Sequence, residues 1–272
     1  MRFSVLALCA ISGAGLLLAS SAQAGFYGNY IGDTVVFEDV QDQNGLFGAP
    51  NVSGDSLDFS PNTFEAECPL DPNCSGGILT VDDTLTITIQ ANSGSFIDDV
   101  VLAESGDTTL QSFVDALAAS VVSATIFVDI FEIDGVSVNN ISDNFIMSFS
   151  QNGEYESTDE GYGTHLWNGG ITIDLDAMIA NAGGSGRATR IQLNLDNTLT
   201  AFAAAGATSR IEKKDVDGLA ITVVPEPGTA LLVALGLAGL ASRRRGERSV
   251  SYTHLRAHET TSLISYAVFC LK

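Results

Sequence analysis

Cys68 and Cys74 form one pair of residues whose types and spacing could do chemistry. They enclose the short segment Pro-Leu-Asp-Pro-Asn. Two thiols this close in sequence can form a local disulfide in an oxidising compartment, or they can supply two ligands to a metal. A structural zinc site needs further ligands, and no histidine lies nearby. We therefore predict a disulfide that staples an exposed loop.

Pairs of acidic residues could supply oxygen ligands to calcium, which prefers carboxylates and loop carbonyls. These pairs are Asp82 with Asp83, Asp98 with Asp99, Asp174 with Asp176, and Asp215 with Asp217. The last pair lacks the later acidic residue of a helix-loop-helix site. In a chain with 33 acidic and 12 basic residues, such pairs also arise from composition alone. We therefore assign no metal ligand and no cofactor, and leave calcium as an open alternative.

His165 lies in a segment rich in glycine and aromatic residues, Glu-Gly-Tyr-Gly-Thr-His-Leu-Trp-Asn-Gly-Gly, which we take as a loop. A nucleophilic triad would need a serine and an acid beside this histidine, but no order or spacing marks them. Paired carboxylates for glycoside hydrolysis could come from many positions of such an acidic chain. We assign no catalytic residue and predict that the chain is not an enzyme.

Tyr162 and Trp167, in the same segment, have two interpretations. Their rings could form part of a sugar-stacking surface, since aromatic side chains combine a large apolar face with a polar atom. Alternatively, Trp167 could lie in the core or close one end of it. We favour the second interpretation.

The alternation of apolar and polar side chains indicates the strands that must position these residues. Between Leu79 and Ala91, for example, Leu85, Ile87 and Ile89 share one face and threonines the other. This period of two is typical of antiparallel strands with one solvated face. The predicted strands are Thr34–Val40, Ser56–Ser60, Leu79–Ala91, Ile97–Ala103, Val121–Ile133, Asn144–Ser150, Gly170–Leu175, Thr189–Leu195 and Leu219–Val224.

Many short strands separated by turn residues predict an all-β fold, an antiparallel β-sandwich with a jelly roll as one variant, over residues 25–222. Two segments have a helical pattern instead, Thr109–Ala119 and Leu175–Ala182. The Asn197–Ser209 segment could extend a strand with alanines, and residues 183–186 read as a glycine-rich loop.

The first 24 residues have the pattern of a secretory signal peptide. Arg2 is followed by an apolar stretch from Val5 to Leu18 and then by Ala-Gln-Ala, a small-x-small cleavage site. We predict cleavage between Ala24 and Gly25. The secretory translocon would then be a partner, and the body of the chain would be exported.

Near the other end, Pro225, Glu226 and Pro227 precede an uncharged run, residues 229–241, and then Arg243, Arg244 and Arg245. The two prolines keep the chain extended, as a processing enzyme requires of its substrate. The run is shorter than the roughly 20 residues that span a bilayer, so we expect a short transmembrane helix of marginal length. The arginines should stay on the cytoplasmic side.

This tail resembles the PEP-CTERM sorting signal of Gram-negative bacteria, and residues 223–248 carry the resemblance. The resemblance implies export, transient anchoring in the inner membrane, and processing by an exosortase. Proteins with this signal are commonly associated with exopolysaccharide, biofilm or flocs. Their bodies vary widely, so the resemblance implies no catalytic activity.

Residues 249–272 resemble the translation of a sequencing adapter, with two adapter blocks in the correct order. We expect this segment to be an assembly artefact. His254, His258 and Cys270 lie within it and are left out of the chemistry. The exported part, residues 25–224, then has 30 acidic and 5 basic residues, a balance that repels nucleic acid.

The sequence therefore predicts an exported protein of the cell surface or extracellular matrix, structural or adhesive in exopolysaccharide or biofilm. Its expected partners are the exosortase, the translocon, exopolysaccharide and the inner membrane, but no nucleic acid. A lectin-like carbohydrate-binding module, with or without calcium, is the alternative. A glycan hydrolase on the same scaffold is a third hypothesis.

Overall fold

The computed structural model describes residues 24–69, 74, 76–213, 218–225 and 236–238. The chain divides after Glu226 into two compact units, and every strand described belongs to the first. Within the described residues, no helix is long and apolar enough to cross a membrane. Residues 236–238 are helical, and the rest of the predicted transmembrane helix lies outside the described residues.

Two antiparallel sheets build the first unit, and the predicted β-sandwich is confirmed. Sheet A has the order β1-β2-β6-β13-β8-β11, with β9 also paired to β8. Its strands are β1 (Gly25–Ile31), β2 (Val35–Asp42), β6 (Ile78–Ala91), β8 (Ala118–Ile133), β9 (Val136–Ile146), β11 (Glu154–Glu156) and β13 (Ala188–Ala203). The jelly-roll variant stays a prediction.

Sheet B has the order β10-β12-β7-β15-β4-β3, with β14 paired to both β5 and β7. Its strands are β3 (Asn51–Ser53), β4 (Ser56–Phe59), β5 (Glu65–Cys68), β7 (Asp99–Ser112), β10 (Ser148–Phe149), β12 (Gly163–Asp174), β14 (Ala207–Lys213) and β15 (Leu219–Val224). A 3₁₀ turn at Ser150–Gly153 connects β10 to β11.

The core lies between the inner faces of the two sheets. On β6, Leu85, Ile87 and Ile89 point inward and are fully buried, as their alternation predicts. Polar bonds also join the sheets. Thr108 of β7 and Ser120 of β8 share a hydrogen bond of 2.6 Å between their hydroxyls, and Ser209 of β14 donates to a backbone carbonyl of β8.

One edge of β7 is shared by two strands. From Ser112 to Gly106 it pairs with β14, and from Glu104 to Asp99 it pairs with β15. Sheet B therefore divides at this point, because β14 continues to β5 whereas β15 continues to β4. Lys213, the last residue of β14, lies at the division.

Helix α1 (Leu175–Asn181) confirms one of the two predicted helices. Asp174 caps its first turn by accepting a hydrogen bond of 2.8 Å from the backbone N–H of Ala177. Leu175, Met178 and Ile179 bury its apolar face.

The second predicted helix, Thr109–Ala119, is wrong. This segment contains the end of β7, a loop and the start of β8. Its first residues pair with β12 on one side and β14 on the other, so tertiary pairing overrides the local helical pattern.

Candidate functional site

Three polar side chains meet between the sheets, at the division of sheet B. Glu104 comes from β7, Lys213 from β14, and Asn197 from β13 in the opposite sheet. Each occupies an inward position of its strand, in phase with apolar neighbours, and each residue is buried: 3% of Glu104, 1% of Lys213 and none of Asn197 is exposed. Strand alternation therefore forces all three side chains into the core.

The carboxylate of Glu104 connects the other two residues. Nδ2 of Asn197 donates to both carboxylate oxygens, at 2.6 Å to Oε1 and 2.7 Å to Oε2. Nζ of Lys213 lies 2.9 Å from Oε2. That contact is an ion pair and the one polar contact of Nζ among the described residues, where Oδ1 of Asn197 has no hydrogen-bond partner. The amide oxygen and part of the donor capacity of the ammonium are thus left unused, although buried polar atoms normally make hydrogen bonds.

Aromatic rings surround the ammonium of Lys213. Its Nζ lies 5.6 Å from the ring centroid of Phe47, 5.4 Å from that of Phe64 and 5.7 Å from that of Trp167. Phe47 and Phe64 themselves pack edge to face, with centroids 5.2 Å apart. A cation within this distance of an aromatic face is attracted to it, and the rings also exclude water.

Burial lowers the pKa of Lys213 below its ordinary value, and the nearby Glu104 carboxylate opposes that shift only in part. Lys213 therefore loses its proton at a lower pH in this site than a lysine on a protein surface does. The site therefore combines a lysine amine of lowered pKa, a carboxylate and a primary amide.

Two buried aspartates fix the loop that carries Phe47. Asp83 accepts backbone N–H groups from Gln43, Asn44 and Leu46 at 2.8–3.0 Å. Asp42 accepts the backbone N–H of Phe47 itself at 3.0 Å. These bonds hold the loop, and with it one aromatic wall, over the site.

The same contacts argue against a calcium site at Asp83. Its oxygens also accept the backbone N–H of Thr84, so backbone donors already surround the carboxylate.

Asp99 and Asp174 are directly opposite one another in β7 and β12, and burial together with the charges of Asp174 and Asp176 raises the pKa of Asp99. Among the described residues, no group of three His, Cys, Asp or Glu side chains is arranged to hold a metal. The pair Asp215 and Asp217 lies outside them.

The segment around His165 is a strand, so the prediction that it forms a loop is wrong. Residues from Gly163 onward belong to β12, paired throughout with β7. Trp167 is 2% exposed and lies in the core, as the favoured interpretation predicted, while Tyr162 remains 43% exposed. Nε2 of His165 contacts the backbone oxygen of Gly161 at 3.2 Å.

Cys68 and Cys74 form a disulfide, with Cα atoms 5.5 Å apart.

Gly25, at the predicted cleavage site, begins β1, and its N–H donates to Asp42. Cleavage between Ala24 and Gly25 stays a prediction. Of the sorting-signal residues, Pro225 directly follows β15, while Glu226, Pro227 and Arg243–Arg245 lie outside the described residues.

Sequence reasoning missed Glu104, Asn197 and Lys213. The available signal was a polar residue in phase with buried apolar ones, such as Lys213 two residues after Ile211. The predicted strands ended at Ala103, immediately before Glu104, and at Leu195, two residues before Asn197, although β7 continues to Ser112 and β13 to Ala203. The Asn197–Ser209 segment was predicted only as a possible extension of a strand. The same polar residues that form the site made the strands look shorter.

Comparisons with known proteins identify the tail. Residues 223–245 match the family model of the PEP-CTERM protein-sorting motif, which confirms the resemblance. No curated protein matches the chain. Among solved structures, the infectious bursal disease virus VP2 subviral particle is similar at 12% identity, over 78% of this chain and 59% of that one, with a TM-score of 0.14. The chain thus spans 59% of that structure's length, and a score this low carries no argument about fold or function.

Proposed function

We propose that this chain, which carries a PEP-CTERM sorting motif, is a structural or adhesive component of a cell surface or extracellular matrix, associated with exopolysaccharide. The motif implies export, membrane-anchored sorting and an exosortase as processing partner. The final location and the role of the body are the proposal. No catalytic activity forms part of it.

The observation that carries this proposal is how the sorting tail joins the body. β15 lies inside sheet B, paired to β4 on one side and to β7 on the other, and it ends at Val224. Pro225, the first proline of the motif, is the next residue. A force on the tail would therefore act on an internal strand that is hydrogen-bonded along both edges, which suits a protein that carries tension.

Surface charge is consistent with a hydrated matrix. The exported part has 30 acidic and 5 basic residues. Such an excess keeps a protein soluble and apart from other polyanions unless cations bridge them. We therefore expect any contact with an acidic polysaccharide to depend on salt and divalent cations.

A carbohydrate-binding module is the second candidate, and one surface favours it. The loop after β7 exposes Phe113 at 94% and Val114 at 68%. Tyr162 lies against the same loop, where its hydroxyl donates to the backbone oxygen of Ala116 at 3.2 Å. Exposed aromatic rings of this kind can stack on sugars. Trp167 is not part of this surface.

The test expresses the full chain in an exosortase-bearing host and measures both the matrix-associated fraction and cell aggregation. Protein recovered from the matrix is then assayed against extracted exopolysaccharide and a glycan panel, with and without calcium. A double variant, Phe113→Ser with Tyr162→Ala, is compared with Leu166→Ser, a control at a side chain 72% exposed elsewhere on sheet B.

A structural role predicts matrix association and aggregation that the double variant leaves unchanged. Glycan binding that only the double variant loses would favour the carbohydrate-binding module instead. Release of sugar fragments by the purified protein would support the hydrolase and contradict both. Absence from the matrix fraction, with no effect on aggregation, would overturn the structural proposal.

A further inference from the structure

We propose that Lys213 and Asn197 form an intramolecular amide cross-link between the two sheets, with Glu104 as the acid and base that transfers the protons. The inference concerns the buried site alone and does not depend on the proposed function.

One carboxylate oxygen of Glu104 contacts both reacting groups. Nζ of Lys213 lies 2.9 Å from Oε2 of Glu104, and Nδ2 of Asn197 lies 2.7 Å from the same oxygen. The amine and the amide therefore cannot be farther apart than these two distances combined. Their strands belong to opposite sheets, and the packing of those sheets fixes the separation.

The unsatisfied atoms are those that the reaction would change. Among the described residues Nζ has one polar contact, with Glu104, although the ammonium carries three donors and its side chain is completely buried. Oδ1 of Asn197 has no partner there. A buried ammonium and amide kept only for stability would be expected to satisfy these atoms, because each missing bond costs free energy.

The reaction needs no cofactor and balances within the site. Glu104 first takes a proton from the ammonium of Lys213, which leaves a neutral amine. The lone pair of Nζ attacks Cγ of Asn197, a C–N bond forms, and the electrons of the carbonyl bond move to Oδ1. Glu104 donates its proton to Nδ2 and receives one from Nζ. The carbonyl re-forms, the Cγ–Nδ2 bond breaks, and ammonia leaves.

The surroundings favour each step. Burial lowers the pKa of Lys213, so that the nucleophilic form of the amine is reached more easily. The bidentate contact of Nδ2 with Glu104 places the proton donor on the leaving group. Phe47, Phe64 and Trp167 exclude water, which would otherwise compete with the amine for Cγ.

The position gives the bond a mechanical consequence. Lys213 lies where sheet B divides between β14 and β15, and β15 is the one described strand between it and the sorting tail. A covalent bond from this point to β13 would join both sheets at the place where backbone pairing in sheet B is interrupted.

The deciding experiment is peptide mapping of the protein purified after expression of the full chain. Trypsin cuts after Arg190 and Arg210, so Asn197 lies in peptide 191–210 and Lys213 in peptide 211–214. The proposal expects these two peptides to remain joined after complete cleavage at Arg210, with a mass lower than their sum by one ammonia. Fragmentation should place the branch at Lys213 and Asn197.

Glu104→Gln keeps the shape of the side chain but removes the acid and base, and should leave the two peptides separate. Glu212→Gln is the matched control, since Glu212 precedes Lys213 but forms an ion pair with Arg210 at 2.6 Å instead. That variant should cross-link like the wild type. A cross-link that persists in Glu104→Gln would overturn the role of Glu104.

The peptide map of the wild-type protein tests the proposal even if the Glu104→Gln variant does not fold. Wild-type protein whose Trp167 emission is that of a buried indole, and which is therefore folded, must contain the branched peptide. Separate peptides with an intact Asn197 amide and a free Lys213 amine in that folded protein would overturn the proposal and leave a buried ion pair in its place.

Discussion

Trp167 and Gly106 are directly opposite one another on β12 and β7, and the indole occupies the space that a side chain on Gly106 would need. A Cβ added to Gly106 would lie 2.0 Å from Cζ2 of Trp167 and 2.2 Å from the backbone oxygen of Glu212. Lys213 follows Glu212 and is itself paired with Gly106. This glycine therefore allows the indole to form one wall of the buried site.

Gly106→Ala should lower the free energy of unfolding by at least about 1–3 kcal/mol, because the new methyl group meets backbone as well as the ring. Denaturant unfolding followed by Trp167 fluorescence measures it. Gly170→Ala is the control, since its Cβ would meet a backbone oxygen at 3.3 Å and nothing closer. Equal losses in the two variants would contradict the packing argument.

Glu104→Gln should be destabilised at neutral pH by about 3–5 kcal/mol, because it leaves a buried ammonium without its counter-ion. Loss of the proposed cross-link would add to this cost. The measurement is chemical denaturation at a series of pH values.

The pH dependence of that variant has a definite sign. Burial lowers the pKa of Lys213 below its ordinary 10.5, so the folded state loses this proton at a lower pH than the unfolded state does. Stability should therefore rise with pH, from the folded pKa up to the ordinary one. The double variant with Lys213→Met lacks the amine and should lose this rise. A fall in stability of Glu104→Gln over the same range would contradict the assignment.

Asp83→Asn should destabilise the fold by about 1–3 kcal/mol, because an amide nitrogen cannot accept the backbone N–H groups that the second carboxylate oxygen accepts. Asp82→Asn is the neighbouring control. Asp82 is exposed and should change stability by less than about 0.5 kcal/mol. Thermal unfolding of both variants tests the difference, and a larger loss at Asp82 would count against the described loop contacts.

Replacing Pro225, Glu226 and Pro227 by alanine should block processing in an exosortase-bearing host, because the extended motif is lost. The precursor should then accumulate in the membrane fraction, as seen by its mobility on a gel. Replacing Arg187, a partly buried loop arginine of the body, by alanine controls for general effects on export. Unchanged mobility and release would refute the sorting assignment.

Local periodicity predicted most of the strands but few of their ends. β15 was predicted with its observed bounds, and β6 differs by one residue, because their alternation is uninterrupted. β7 was cut short at Glu104, where the inward residue is polar, and β13 was predicted to end at Leu195, with Asn197–Ser209 only as a possible extension. An alternation rule treats such a residue as the end of a buried face, although here it is paired across the core.

The sequence alone determined the sorting signal of this protein and the class of its fold. The sorting motif consists of neighbouring residues, and alternation along a strand is equally local, so neither needs a partner elsewhere in the chain. Only the tertiary structure decided what lies at the centre. Glu104 and Asn197 are separated by 93 positions. Their meeting with Lys213 depends on which strands pair and how two sheets are stacked, and no local pattern encodes that.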